Sequence, residues 1–552
     1  MFKGEVAKLL AKKARMKLDE IYSLIEVPPD PKLGDYAFPC FALAKKQGKS
    51  PADIANELSG MKVSGSIAKV EATGPYLNFF ISPVARAERV LDSVHKTRKL
   101  KAGKQKVIVE YPSPNTNKPL HLGHVRNMVI GTTLANILEK NGCKVFRVNL
   151  NNDRGIHICK SMLAYKKWGK DKEPKGKPDH FVGEFYVRFQ KESEKNPGLE
   201  KEAQEMLQAW ENNDPDVIEL WEKMNNWAVG GFKETYARFN VKFDKEYNES
   251  DIYSHGKEIV MNNIKKFNKD ETGAIFAPLE KYGLSDKVLL RSDGTSVYMT
   301  QDLALTMQKL KDFKPDKQVW IVASEQKLHF QQLFKILEIL GVKEEFYHLA
   351  YGMVFLPEGR LKSREGRVVD ADDLLDHLES MAAKEIKKRD WDEKKVKEVS
   401  KKVAMAAVRF YMLKFDPLKD FTYDPEQSVS FEGDTGPYLQ YTHARISSIL
   451  RKGKLPKKAK LDLLVSEEEQ ALLRELERMP LAFETAANDY KINNIPNQLL
   501  SIAHAFNTFY HACPVLKAEG ELQDARLILV DAARKIIKEG LEILGIEALE
   551  EM

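Results

Sequence analysis

Between Val107 and Leu150 the chain admits essentially one arrangement. Val107 to Tyr111 is a β-branched, apolar run with the composition of a short buried strand. Pro112, Pro114 and Pro119 exclude helix from the loop that follows. Beyond His121-Leu122-Gly123-His124, apolar residues return at helical spacing, at Val125, Met128 and Val129 and then at Leu134, Ile137 and Leu138. Asn141-Gly142 supplies a stop, and Lys144 to Leu150 forms a second strand. Such a strand–loop–helix–strand unit seeds a parallel, nucleotide-binding α/β sheet.

The chemistry sits where the loop enters the helix. Unpaired backbone N–H groups there point at whatever docks. Gly123 has no Cβ, so a flat base or ribose can lie against the backbone. Two imidazoles, His121 and His124, can donate hydrogen bonds to phosphate oxygens as negative charge develops. An arbitrary HxGH is an ordinary turn with two surface histidines. The preceding strand, the following helix and the three prolines argue against that reading here.

These four residues resemble the HIGH signature of class I aminoacyl-tRNA synthetases. The wider run from Glu110 to His121 (EYPSPNTNKPLH) is similar to that of arginyl-tRNA synthetases. The resemblance implies that His121, His124 and Lys118 act on the ATP phosphates, with Pro119, Leu122 and Gly123 lining the nucleotide site. Glu110, Ser113, Asn115, Tyr298, Asp302 and Gln326 match family positions that hold the amino acid. A guanidinium is answered by planar carboxylate acceptors, and Asp302 is the best placed of these residues to offer them. Tyr298 precedes it by four residues, on the same face if a helix begins there.

A second stretch, Gly359 to Val369, resembles the family's KMSKS signature, a mobile basic loop over the phosphates. Lys362 takes the first Ser place, Ser363 the second Lys place and Arg364 the last Ser place, a departure many arginyl enzymes share. With serine in the lysine place, Lys118 becomes the cation expected to neutralise the leaving pyrophosphate. Just upstream, the backbone of Gly352, Met353 and Val354 is expected to meet the adenine edge.

The remaining chain sorts into modules. At 552 residues it should hold three or more domains. Residues 1–100 read as a small α+β module, and 101–390 as a Rossmann-like catalytic domain with a mostly helical insertion at about 160–284. Residues 391–552 read as an all-α bundle. The family resemblance extends over nearly all of this, and makes the first module a binder of the tRNA elbow and the last the reader of the anticodon. Tyr36, Phe38, Asn78 and Phe80 are the contact candidates in the first. Tyr438, Tyr441, Arg445 and Tyr510 are those in the last, where RNA contact and core packing are equally open for the tyrosines. Family members commonly carry arginine before the last Met, where this chain has Glu551.

Composition narrows the function classes. No apolar run approaches a membrane span and the N-terminus lacks a signal-peptide pattern, so no membrane partner is expected. Four scattered cysteines form no CxxC, which argues against structural zinc or disulfides and fits a reducing cytoplasm. A net charge of +6 permits a nucleic-acid partner without demanding one. The expected protein is a monomeric arginine–tRNA ligase using ATP with Mg²⁺, L-arginine and tRNA(Arg). Its rivals are a non-catalytic tRNA-binding relative and a sister class I enzyme for another amino acid.

Overall fold

The computed structural model describes residues 1–14, 16–63, 65–95, 105–169, 171–253, 255–357 and 369–552. At the centre lie five parallel strands: β4 (Lys106–Glu110), β5 (Lys144–Asn151), β6 (Lys245–Asn248), β10 (Lys317–Ala323) and β11 (Glu345–Tyr351). Their order is β11-β10-β4-β5-β6, with Glu110 level with Val148 of β5 and Trp320 of β10. From β4 the chain builds outward on one side through β5 and β6, then returns to the other side through β10 and β11. The switch point therefore falls at the C-terminal end of β4, where open α/β sheets bind ligands.

Leu122–Lys140, the signature helix, leaves that end of β4. Nearly all of it is buried, the mark of a helix covered on every side. The sheet covers one face, and helices of the C-terminal region, among them Glu393–Leu413, cover another. Gly131 makes the sheet contact possible. A Cβ built there would lie 2.3 Å from Cγ of Tyr111, whose ring rests directly on the helix backbone.

Three strands, β1 (Tyr36–Pro39), β2 (Ile67–Thr73) and β3 (Tyr76–Ile81), form an antiparallel sheet in the N-terminal module, ordered β1-β3-β2. That module's apolar cluster ends at Ile81, and the helix Pro83–His95 instead sends Ala87, Val90 and Leu91 into the central core. The insertion is helical as expected through Pro178–Lys195, Gly198–Glu211 and Pro215–Arg238. Its predicted extent to 284 is too long, because β6 within that range is a full member of the main sheet. The insertion ends at β6. Beyond it, β7 (Asn268–Lys269), β8 (Ile275–Ala277) and β9 (Lys287–Leu290) make a small antiparallel sheet. The C-terminal region is built from Glu393–Leu413, Gly436–Lys452, Glu467–Asn488, Asn494–Ala512 and Gly520–Ile543. Among the described residues no helix is long and apolar enough to cross a membrane.

Buried arginines join these parts. Arg86 pairs with Asp35 of the N-terminal module, with Glu477 at 3.3 Å and with Gln470 at 3.0 Å, both on the C-terminal helix Glu467–Asn488. Arg409 donates to the carbonyl of Phe239 at 2.5 Å and to that of Leu544 at 3.2 Å.

Gly131→Ala tests the central packing. Alanine gains helix propensity, but the Tyr111 ring must move, and overpacking costs about 1–3 kcal/mol. The variant is expected to melt below the wild type in differential scanning fluorimetry. An unchanged or raised midpoint would show that Tyr111 is free to yield.

Candidate active site

The first signature is a helix cap made of two histidines. His121 is the N-cap, and its Nδ1 accepts the N–H of Gly123 at 3.2 Å. His124 Nδ1 accepts the N–H of His121 at 3.1 Å. A backbone N–H can only donate, so both Nδ1 atoms are unprotonated and each neutral ring carries its proton on Nε2. Burial, reinforced by the nearby Lys118 charge, pushes the His121 pKa down to about 4. His124 is held well below the usual histidine range by burial, by His121 and by Lys118. The rings lie 3.9 Å apart and present two N–H donors without a full charge. Gly123 leaves room for this geometry, since a Cβ would sit 3.1 Å from Cε1 of His121 and crowd the ring.

Lys118 supplies the charge. It is half-buried, and no carboxylate lies within ion-pair distance of it among the described residues; burial lowers its pKa. An ammonium so placed, beside two donors and a helix N-terminus, makes a site for an anion. Pro119 packs over Gly183 of the insertion, where a Cβ would lie 2.7 Å from its ring. Ser113 has a φ of 53° and is held there by Asn149, whose Oδ1 accepts its N–H at 3.2 Å, and by Asn152, whose Nδ2 donates to its carbonyl at 2.9 Å. Leu122 does not face a ligand. Its side chain is core, and its N–H donates to the Val369 carbonyl at 3.0 Å, while the N–H of Ala371 donates to Leu120 at 2.9 Å. The segment following the second signature is thus tied to the first. Lys362, Ser363 and Arg364 themselves lie outside the described residues.

The amino-acid residues divide. Asp302 stands on the helix Tyr298–Phe313, with His329 Nε2 at 2.6 Å from Oδ2. It lines a cleft of about 50 Å³ with Asn152, Glu249, Tyr298 and Gln301, and Tyr298, 73% exposed, forms the rim. So small a cleft suits a head-group rather than a whole nucleotide. Asn115 is exposed in the loop and paired in register with Asn152, which links the loop to the cleft. Gln326 is exposed at the start of the helix Lys327–Leu340. Glu110 departs from expectation. It is buried and its carboxylate is met by the ammonium of the fully buried Lys309, with Ser113 Oγ donating to it at 3.4 Å. Its Oε2 is thereby committed to Lys309 and Gln318.

Glu249, His329 and Lys309 were not among the sequence-derived residues. Burial raises the Glu249 pKa to about 7, against the lowering effect of Arg154; Asp153 and Asp302 push the same way as burial. Glu249 follows directly on β6, so the strand-end rule would have flagged it had β6 been recognised.

The adenine expectation is also narrowed. The N–H of Gly352 donates to Pro417 at 2.9 Å, that of Met353 to Asp420 Oδ1 at 2.6 Å, and the Met353 carbonyl accepts from Phe421 at 3.2 Å. These groups are engaged within the fold. Val354 belongs to β12 (Val354–Phe355), which pairs in parallel with β13 (Phe421–Thr422). The bonds across that pair use the carbonyls of Met353 and Phe355, so the N–H and C=O of Val354 point the other way.

Whole-chain comparison places this geometry. A family model described as the catalytic domain of class I (R) tRNA synthetases matches residues 87–425. The chain belongs to the arginyl-tRNA synthetase family. An arginyl-tRNA synthetase N-terminal domain model matches residues 1–81, and a DALR anticodon-binding domain model matches 439–552. An arginine–tRNA ligase of Treponema denticola is 42% identical, the match covering 96% of this chain and 94% of the relative. One of Borrelia hermsii is 39% identical over 100% and 98%. The Thermus thermophilus arginyl-tRNA synthetase structure superposes with a TM-score of 0.82 at 27% identity, covering both chains fully.

The RNA-contact candidates fare unequally. Phe38 and Asn78 are buried inside the N-terminal sheet, Asn78 donating to Thr73 at 3.0 Å, and neither is presented to a partner. Tyr36 is buried against the C-terminal bundle, its hydroxyl donating to Glu477 at 2.8 Å. Phe80 is only half-buried, with Lys69 Nζ 5.1 Å from its ring centre. Tyr438, Tyr441 and Arg445 line an open cleft of about 870 Å³ with Trp391, Phe431 and Met552. Arg445 lies over Tyr441 at 4.7 Å and 6.0 Å from Tyr510, itself partly exposed. Glu551 pairs with Lys395 at 2.9 Å.

With the Nδ1 atoms engaged and the rings buried, His121 is expected to stay neutral far into acid. Histidine-labelled NMR should show its titration near pH 4; a midpoint near 6.5 would overturn the capped, neutral assignment.

Proposed function

We propose that this chain activates L-arginine with ATP and passes the arginyl group to the terminal ribose of tRNA(Arg). The reading is carried by one juxtaposition. A cleft lined by two carboxylates, Asp302 and Glu249, is linked through Asn152 and Asn115 to a loop ending in an anion-binding helix N-terminus. The guanidinium end of arginine suits the first, and triphosphate suits the second.

The arginine carboxylate attacks the α-phosphorus, and the bond to the β-phosphate oxygen breaks, releasing pyrophosphate. The Nε2–H groups of His121 and His124 donate to oxygens gaining charge, and Lys118 balances the leaving pyrophosphate. Mg²⁺ arrives with ATP as part of the substrate. The cluster His180, Asp370 and Asp372 already holds Lys177, 3.0 Å from Asp372, and Arg238 at the same distance, so it is not assigned to metal. The 2′-hydroxyl of the tRNA then takes the acyl group from AMP. Adenine is read by the N–H and C=O of Val354. Activation is expected to require bound tRNA. The cleft around Tyr438, Tyr441 and Arg445 joins flat aromatic faces to a guanidinium, the combination that stacks an unpaired base. The protein acts as a monomer in the cytoplasm.

Lys118→Ala is expected to lower kcat of ATP–pyrophosphate exchange by about 10²–10³ fold, with a smaller change in ATP KM. Ser363→Lys in that background should recover part of the loss. Full exchange activity without Lys118 would shift the role to Lys362 or Arg364.

The raised Glu249 pKa gives a signed pH effect. A bound guanidinium favours the carboxylate, so arginine binding releases a proton wherever Glu249 is protonated beforehand. Arginine KM should therefore rise as pH falls below about 7, and Glu249→Gln should raise KM and flatten that dependence. A wild-type KM flat from pH 8 to 5.5 would exclude Glu249 from the guanidinium site.

A further inference from the structure

Arg126 follows the second signature histidine by two residues. Its side chain is wholly buried, and no carboxylate lies within ion-pair distance among the described residues. The guanidinium meets carbonyls instead. One nitrogen donates to Gly352 and, at 3.4 Å, to Met353. The other donates to Pro417 at 2.9 Å, to Lys419 at 3.0 Å and to Asp416 at 3.5 Å. The Phe421 ring lies against it with its centre at 4.7 Å. Burial lowers its pKa to about 10, so it remains charged at neutral pH.

A cation enclosed this way is strongly unfavourable unless its surroundings supply matched acceptors. Here the acceptors come from two segments, the turn after β11 and the stretch Asp416–Lys419 that follows the helix Glu393–Leu413, which are also joined by the Gly352 N–H to Pro417 bond and the β12–β13 pair. The contact is tight. A Cβ on Gly352 would stand 2.4 Å from Asp420 Oδ1 and 2.7 Å from the Leu418 carbonyl. Asp420 takes the Met353 N–H from the other side. Arg126 and Asp420 together turn the polar groups of Gly352 and Met353 inward. By strand alternation, those of Val354 are left facing out.

We propose that Arg126 is a positioning residue for the nucleotide base: by fixing the carbonyls of Gly352 and Met353 it presents the Val354 backbone, and so makes the enzyme discriminate on the 6-substituent of the purine. A 6-amino group donates to the Val354 carbonyl while the neighbouring ring nitrogen accepts its N–H. This inference rests on the adenine reading above, and on the enzyme's activity for its assay. It places a specificity element in the signature helix, on the side turned away from the phosphates.

The test compares ATP with purine riboside 5′-triphosphate, which lacks the amino group, in pyrophosphate exchange by the full-length enzyme with tRNA present. Wild type is expected to prefer ATP by about tenfold in kcat/KM, the equivalent of one lost hydrogen bond. Arg126→Lys should raise ATP KM about tenfold and bring the preference towards one, with arginine KM within about twofold. Asp420→Ala leaves the buried charge in place and releases only the Met353 N–H; it covers the case in which Arg126→Lys fails to fold. It should show the same ATP-selective loss to a smaller degree. Two results overturn the inference while leaving the adenine reading intact: variants that keep both ATP KM and preference, or variants in which ATP and arginine KM rise together. A wild type that does not distinguish the two triphosphates overturns the adenine reading itself, and the inference with it.

Discussion

A guanidinium sealed among carbonyl oxygens has few ways to move. It cannot be hydrated without opening the fold, and each donor it turns away leaves an unsatisfied group behind. Among the described residues three guanidiniums are enclosed, Arg126 and Arg409 among carbonyls and Arg86 against the carboxylates of Asp35 and Glu477. Arg86, Arg126 and Arg409 are the bulkiest of its fully enclosed side chains, and each ties together segments distant in sequence. Arg86 fastens the N-terminal sheet to the helix Glu467–Asn488, and Arg409 holds the end of the insertion against the end of the last long helix. Arg126 joins the signature helix to the root of the bundle. The apolar core fills the space between domains, but directional contacts of this kind fix their angles, because apolar packing alone tolerates sliding.

That rigidity frames two sites of opposite electrical character. At the helix N-terminus, two neutral imidazoles and a half-buried ammonium make a place suited to an anion, and desolvation holds the histidines below their usual titration range. At the other cleft, Asp302 and Glu249 offer carboxylates suited to a cation. His329 orients Asp302, as Lys309 holds the buried Glu110. A substrate that is cationic at one end and attacks phosphorus with the other is sorted by field before any specific contact forms. Loop residues placed at the switch point of the sheet do the joining, which is why the prolines and the left-handed Ser113 matter.

The central unit was legible because its signals are local. The β4 run, the prolines and the helical period of the signature helix agree with one another, and the observed strand and helix limits fall within about a residue of the expected ones. What escaped depends on distant packing. Lys245–Asn248 is four residues long with two charges, so nothing in it reads as a sheet strand, and Glu249 was lost with it. Arg126 was not singled out in the sequence, because the carbonyls that surround it come from segments more than 200 residues away. Tyr36, Phe38 and Asn78 are contact candidates by family resemblance and not by any local pattern. Their burial comes partly from strand pairing and, for Tyr36, from a helix 441 residues further on.

The strand order has a consequence for how such a chain comes into being. β4 is the middle of the sheet, yet its partner on one side, β10, lies about 210 residues further along. At a synthesis rate of roughly 5–20 residues per second, the apolar run Val107-Ile108-Val109 waits on the order of ten seconds or more with one edge unpaired. During that interval β5 can join it and β6 can later add to β5, so the nascent chain holds half a sheet with an open, hydrogen-bonding margin. The insertion helices emerge within the same window. Whatever its part in the finished enzyme, the insertion is the first large body of protein synthesised after β4 that could stand beside that margin before its proper neighbour arrives.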